Sequence, residues 1–144
     1  MTIAQQITNE KYPLVLIVTP SYNQAQFLES TILSVLNQNY PNLEYIIIDG
    51  GSTDGSIEII KRYQKYLAYW ISEKDEGQAD AINKGFEKST GQILAWINSD
   101  DTYLPETLFR VAKHFQQHQK ADLVFGNINF INEYDEITGE LRLT

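Results

Sequence analysis

Residues 14–50 read LVLIVTPSYNQAQFLESTILSVLNQNYPNLEYIIIDG, and their periodicity decides the fold. Leu14 to Thr19 is a continuous apolar, β-branched run that Pro20 ends, the pattern of a strand buried on both faces. Asn23 stands where it can cap a following helix, in which Leu28, Ile32, Val35 and Leu36 recur at spacings of three and four residues. That stripe would pack on a sheet before Pro41 closes the segment. Tyr45 to Asp49, rich in isoleucine, then reads as a second buried strand.

The same alternation continues downstream. Gly50, Gly51 and Gly55 make a loop, and Ser56 can cap a second helix with Ile57, Ile60 and Leu67 facing inward. Tyr69 to Ser72 is a short third strand, and Ala79, Ile82 and Phe86 stripe a third helix that Gly91 would terminate. Ile93 to Ile97 forms a fourth strand, with Trp96 expected in the core. Pro105 suits the first turn of a fourth helix, with Leu108, Val111, Ala112 and Phe115 on its buried side, and Leu123 to Phe125 follows as another strand. From Gly126 onward the pattern weakens. Asn127 to Asn132 suggests an edge strand, Glu133 to Gly139 a hairpin turn, and Leu141 and Leu143 a resumption, so the chain stops in what reads as mid-sheet. The β-α order with short connections predicts one α/β domain over residues 1–144, Rossmann-like, with a mainly parallel sheet and helices on both faces. Ligands of such sheets bind at the carboxyl ends of the strands.

Composition narrows the chemistry. The 144 residues, 42% of them hydrophobic, suffice for one core. Lys and Arg number 11 against 19 Asp and Glu, and the net charge of -8 repels nucleic acid at long range. A bound divalent cation could still bridge the chain to nucleotide phosphates. The absence of cysteine excludes disulfides, thiol nucleophiles and thiolate metal sites, leaving carboxylates and two histidines as ligands. His114 and His118 have i,i+4 spacing but lack an intervening glutamate and lie off the apolar stripe, so both are expected to be exposed. The longest apolar run, Leu14 to Val18, is far short of the roughly 20 residues that span a bilayer. A cytoplasmic location, with the membrane surface as an option, is the expectation.

Acidic clusters mark the expected strand ends. In Trp96-Ile97-Asn98-Ser99-Asp100-Asp101 an apolar strand runs into adjacent carboxylates, whose mutual repulsion a bridging Mg²⁺ or Mn²⁺ would relieve. The same residues would also serve if Asp101 or Thr102 capped the Pro105 helix and Asp100 were solvated. Asp49-Gly50-Gly51-Ser52-Thr53-Asp54-Gly55-Ser56 is a glycine-rich turn with two carboxylates and no lysine, better suited to a ribose or the N–H of a base than to phosphate; it also reads simply as a turn with a helix cap. A further cluster runs from Glu73 through Asp75 to Asp80 and Lys84, the last two spaced to form an exposed ion pair.

Taken in order and spacing, these pieces resemble the family 2 glycosyltransferases of GT-A fold. The matching segments are Thr19-Pro20-Ser21-Tyr22-Asn23, Ser34-Val35-Leu36-Asn37-Gln38, Asp49-Gly50-Gly51-Ser52-Thr53-Asp54, Gly77 through Gly85, and Asn98-Ser99-Asp100-Asp101. The resemblance covers roughly residues 13–132. It implies a site for a nucleotide-diphosphate sugar donor, with an acceptor that is a saccharide, a lipid or a protein. Thr19, Pro20, Tyr22 and Asp49 would lie around the nucleoside, and Asp75, Asp80 and Lys84 would approach the diphosphate or donor sugar. Ser99, Asp100 and Asp101 would stand at the D-x-D metal motif, with Asp100 and Asp101 holding Mg²⁺ or Mn²⁺. Two departures are visible. Asn98 replaces the first Asp of D-x-D, and Gly50 replaces the second acid of the usual D-D-x-S turn, so the donor's base and sugar stay open.

The resemblance also implies an acidic catalytic base in the acceptor-binding part, expected beyond Thr144, so the chain reads as a donor-binding half. Glu133, Asp135 and Glu136 are the alternative source of a base within the chain. A metal-dependent nucleotidyltransferase is a second enzymatic reading, but its basic glycine-rich loop has no counterpart in Pro20 to Gln26. A non-catalytic α/β binding domain is a third. A receiver domain is disfavoured by a third strand ending in Ser72-Glu73, and a haloacid-type phosphatase by the lack of an Asp after the first strand.

Overall fold

A computed structural model describes residues 2–143. Strands β1 (Val15–Ser21), β2 (Leu43–Asp49), β3 (Tyr69–Ser72) and β4 (Ile93–Trp96) form a four-stranded parallel sheet in the order β3-β2-β1-β4. Helices α1 (Ile3–Asn9), α2 (Ala25–Leu36), α3 (Ser56–Tyr63), α4 (Gln78–Glu87) and α5 (Thr107–Gln117) surround it, and β5 (Ile128–Ile131) and β6 (Ile137–Leu141) pair antiparallel in a separate hairpin. The α/β reading is therefore correct.

Alternation along β1 and β2 sorts their side chains into two layers. Val15, Ile17, Tyr45 and Ile47 pack with Leu28, Ile32 and Val35 of α2, Ile59 and Ile60 of α3, and Leu108 and Ala112 of α5. Leu16, Val18, Ile46 and Ile48 face Ala81 of α4. Gly85 lets α4 approach β1 closely, since a Cβ there would lie 2.5 Å from Val18 Cγ1. Right-handed crossovers account for the sidedness. The connections β1-α2-β2 and β2-α3-β3 advance one way across the sheet, whereas β3-α4-β4 reverses past β1, which puts α4 on the opposite face. The reversal leaves a switch point between β1 and β4, where a ligand crevice opens at the carboxyl ends.

Several local expectations change. Pro20 lies inside β1 rather than ending it. Val18 O accepts the Ile97 N–H, so residue 20 also turns its nitrogen toward β4, whose pairing with β1 has already ended at Trp96. No ladder bond is lost there. Trp96 is 53% exposed instead of core, because it shares the α4 face with Val18 while α4 sits over β1 and β2. Leu123 to Phe125 forms no strand and has no ladder partner, and both end residues are exposed. The weaker downstream pattern forms the β5-β6 hairpin instead of an edge of the main sheet. Helix α5 begins at Thr107, two residues after Pro105, because Glu106 takes a left-handed φ of 64° as its N-cap. Leu67 lies beyond α3, although it still packs on the core. Helix α1, unforeseen in the polar start, carries a capping box between Thr2 and Gln5 and buries Ile7.

Two aspartates organise the loops at the top of the sheet. The Asp49 side chain, fully buried, accepts the N–H groups of Gly51 (3.1 Å) and Ser52 (2.8 Å) and the hydroxyls of Ser52 (2.5 Å) and Ser72 (2.7 Å). Asp54 does what Asn23 and Ser56 were expected to do. Its carboxylate accepts the Ala25 N–H of α2 at 2.8 Å and the Ser56 N–H and hydroxyl of α3 at 3.0 and 2.7 Å. Asn23, at a φ of 51°, instead accepts the Thr53 N–H and donates its own N–H to Ser52. Ser56 is the first residue of α3, and Gly55 is its N-cap.

Asp49→Asn leaves backbone donors facing an amide that cannot accept them all, and urea unfolding should show a loss of about 2–3 kcal/mol. Asp54→Ala should cost about 0.5–1 kcal/mol, since the group is exposed and screened. The Ala25 and Ser56 bonds hold the Asp54 carboxyl below its usual value, so its contribution is present above the unfolded-state value and disappears as pH falls through the folded one. The gap between wild type and Asp54→Ala should close in unfolding curves taken below about pH 4.

Candidate functional site

A cleft of about 580 Å³ opens at the switch point. Its walls are Pro20, Ser21, Tyr22 and Gln24 after β1, Gly50 after β2, Lys74 and Asp75 after β3, Gly77, Gln78 and Ala81 at the start of α4, and Asn98, Ser99 and Asp100 after β4. The convergence follows from the parallel sheet, which puts every strand's carboxyl end on one rim.

Of the residues singled out in the sequence, Pro20, Tyr22, Asp75, Ser99 and Asp100 line this cleft. Thr19 does not; it is buried with its hydroxyl 3.0 Å from the Tyr45 hydroxyl, on the α2 face of the sheet. Burial raises the Tyr45 phenol far above its ordinary value, so that pair is neutral packing. Asp49 is taken up by its own turn and supports the cleft from beneath. Lys84 pairs with Asp80 at 3.1 Å and Glu73 at 3.2 Å outside the cleft wall, and Asp80 also accepts the Glu76 N–H. The Glu76 bond, followed by Lys84, lowers the Asp80 carboxyl, and Asp80, followed by Glu73, raises the Lys84 ammonium. These three side chains brace the β3-α4 connection.

The loop carrying Asp100 and Asp101 is held by polar side chains of α2. Thr31 donates to Asp101 O at 2.7 Å, Ser34 Oγ accepts the Tyr103 N–H at 3.1 Å, and Gln38, two residues past the end of α2, donates to Leu104 O and accepts the Leu108 N–H. The Ser34 to Gln38 segment therefore anchors the acidic loop. Asp100 faces the cleft, while Asp101 accepts the Asn98 side-chain amide at 3.1 Å. Desolvation, then the Asp100 charge, raises the Asp101 carboxyl above its ordinary value, whereas Asn98 opposes the shift. Neither Asp101 nor Thr102 caps α5.

The donor set suits a hard divalent cation. Among the described residues no group of three or more His, Cys, Asp or Glu side chains could hold a metal alone. Mg²⁺ and Mn²⁺ accept one or two carboxylates when phosphate oxygens and water complete the shell, and Asp100 with Asp101 supplies that number. The start of α4, at Gly77 and Gln78, turns the positive end of a helix toward the same space.

Sequence reasoning missed Ser21, Gln24, Gly50, Lys74, Gln78 and Asn98 as cleft-lining groups, although each flanks a residue or motif that it had marked. A second recess, of about 260 Å³, lies beside the cleft and shares Asp100; Glu133 and Asp135 line it with Phe27 and Ser30. Glu136 is bonded to the Asn132 side chain within the hairpin turn. The base expected beyond Thr144 lies outside the described residues. His114 and His118 are exposed and stacked at 4.2 Å, away from the cleft. No helix among the described residues is long and apolar enough to cross a membrane.

Comparison with known proteins agrees with this geometry. The chain is 40% identical over 107 residues to TuaG of Bacillus subtilis, whose name assigns it provisionally to teichuronic acid biosynthesis as a glycosyltransferase; the match covers 71% of this chain and 41% of TuaG. The chain thus spans less than half the length of that relative. Among solved structures, S. aureus TarS 1-349 in complex with UDP superposes with a TM-score of 0.65 at 22% identity, covering 73% of this chain and 32% of that 1-349 chain. The mannosyltransferase PcManGT from Pyrobaculum calidifontis, in complex with GDP-Man and Mn²⁺, gives 0.65 at 24% identity, covering 89% of this chain and 41% of PcManGT. Both likenesses show the fold. The family model described as glycosyl transferase family 2 matches residues 16–142, and the chain belongs to that family.

Proposed function

We propose that the cleft binds a nucleoside diphosphate sugar together with Mg²⁺ or Mn²⁺, and that the whole protein transfers the sugar, with inversion at the anomeric carbon, to a hydroxyl of an acceptor. The observation that carries this reading is the placement of Asp100 opposite the start of α4 at the sheet's switch point. A diphosphate lying between them would meet the helix N-terminus and Lys74 on one side and a cation held by Asp100 and Asp101 on the other. The bound cation would neutralise charge that develops on the departing nucleoside diphosphate.

The chain's own groups would do the rest. Pro20 and Tyr22 would flank the nucleoside, and Ser99 would sit beside the diphosphate at the end of β4. Gln78 donates to the Asn98 side chain across the cleft, and Asn98 in turn donates to Asp101, which links the start of α4 to the acidic loop. An acceptor hydroxyl would approach through the adjoining recess, which shares Asp100. The names of the relatives support these assignments: UDP and GDP-Man accompany the two structures, Mn²⁺ the second, and teichuronic acid synthesis favours a saccharide acceptor.

In a protein of net charge -8, two neighbouring carboxylates cannot attract a diphosphate unaided, so affinity must come through the cation. Isothermal titration of UDP and GDP should show binding with Mn²⁺ or Mg²⁺ that weakens at least tenfold (roughly) in EDTA. Asp100→Ala should weaken metal-dependent binding by about tenfold or more, and Asp101→Ala should weaken it less, since Asp101 is turned toward Asn98. Equal affinity with and without metal, or two unaffected variants, would sink the assignment.

A further inference from the structure

We propose that Gln78 and Asn98 are positioning residues, a two-amide spacer that sets the gap between the start of α4 and the acidic loop and so couples cation binding to diphosphate binding; this deepens, and rests on, the reading of the cleft as a metal-dependent donor site. The two halves of that site belong to different elements. Gly77 and Gln78 stand at the start of α4, which follows β3, whereas Asn98, Ser99 and Asp100 follow β4, and β2 and β1 lie between those strands. Each half has its own anchor. Helix α4 is seated on the sheet by the close approach of Gly85 to Val18, and the acidic loop is held to α2 by the Thr31 bond to Asp101 O and the Ser34 bond to the Tyr103 N–H. None of these contacts spans the cleft.

Among the described residues, one run of side-chain hydrogen bonds joins the two halves. Gln78 Nε2 donates to Asn98 Oδ1, and Asn98 Nδ2 donates to Asp101 Oδ2 at 3.1 Å. Its polarity is dictated from the acidic end. A carboxylate accepts and cannot donate, so Asn98 must turn its NH₂ to Asp101 and its carbonyl oxygen to α4, and Gln78 must then supply its own NH₂. Turning over either amide would set donor against donor or lone pair against lone pair, so a single arrangement is selected. The stem that carries Asn98 is fixed as well. Asn98 O accepts the Asp101 N–H at 3.1 Å, and the preceding Ile97 N–H donates to Val18 O at 2.9 Å.

A cation that bridges Asp100 and a diphosphate requires the acidic loop and the start of α4 at one separation. Where that gap is already set, the second ligand to arrive finds its partner in place. Where it is not, side chains must be ordered first, and preorganisation removes that cost. The spacer therefore contributes to the coupling between the two ligands more than to the affinity for either one alone. Asn98 acts on the cation through position, because its carboxamide oxygen is already committed to Gln78.

Calorimetric titration of UDP with Mn²⁺ and with EDTA, on wild type, Gln78→Met, Asn98→Leu and the double variant, tests the proposal. Both substitutions keep the size of the side chain and remove its bonding, and both lost bonds are exposed, so the variants should melt with wild type. The readout is the coupling factor, the ratio of the UDP dissociation constant in EDTA to that with Mn²⁺. Each single variant should lower this factor about threefold or more while changing UDP affinity in EDTA by less than about twofold. The double variant should match Asn98→Leu alone, because the two residues act in series. A coupling factor unchanged in both single variants, or a double variant in which the two losses multiply, would overturn the spacer while leaving the donor cleft standing. A wild type whose UDP affinity does not depend on Mn²⁺ would overturn both.

Discussion

The buried carboxylate of Asp49 is the constraint on which the top of the molecule depends. A charge withdrawn from water must be compensated by hydrogen bonds, and here two backbone N–H groups and two hydroxyls supply them. Those donors come from the turn after β2 and from the end of β3, so satisfying one group fixes the relative position of two connections. Ser52 extends the chain of bonds by accepting the Asn23 N–H from the loop after β1. The glycine-rich turn is consequently part of a rigid frame, with Asp54 closing it from the outer side against the starts of α2 and α3.

That frame shapes the cleft indirectly. Its outer residues, Pro20, Tyr22 and Gly50, reach the cleft because Asp49 and Asn23 are committed to holding the loops and Thr19 to packing on Tyr45. On the far side of the switch point, polar side chains on α2 and Gln38 do the equivalent for the acidic loop. Alternation of supporting and ligand-facing residues along each motif is what a short strand end produces when successive side chains point to opposite faces. It also explains why the Asp49 carboxylate is taken up by its own turn while the neighbouring Gly50 lines the cleft.

The parallel sheet, its helices on two faces and the rim on which the motifs converge were legible in the sequence. Buried strands read as unbroken apolar runs, and each helix carries one apolar stripe, as Leu28, Ile32 and Val35 do on α2. Asp100 was legible as a rim residue because its acidic segment follows directly on the apolar run of the fourth strand. Less was legible where a side chain had alternative partners. Asn23, Ser56 and Asp54 all have capping chemistry, and which one caps is settled by a loop folded in from about thirty residues away in sequence.

By itself, then, the sequence determined the order and type of the elements from β1 to α5 and the polarity of the strand ends, since these follow from local periodicity and turn chemistry. Only the tertiary structure decided that Trp96 is exposed, that Pro20 continues β1, that Lys84 is spent on Asp80 and Glu73, and that Asp75 lies against Gly50. The reason is common to all four. Each depends on which distant segment lies alongside, namely the width of α4 over the sheet, the length of β4, the neighbours of α4 and the space left by a glycine, and a local pattern carries no record of those distances.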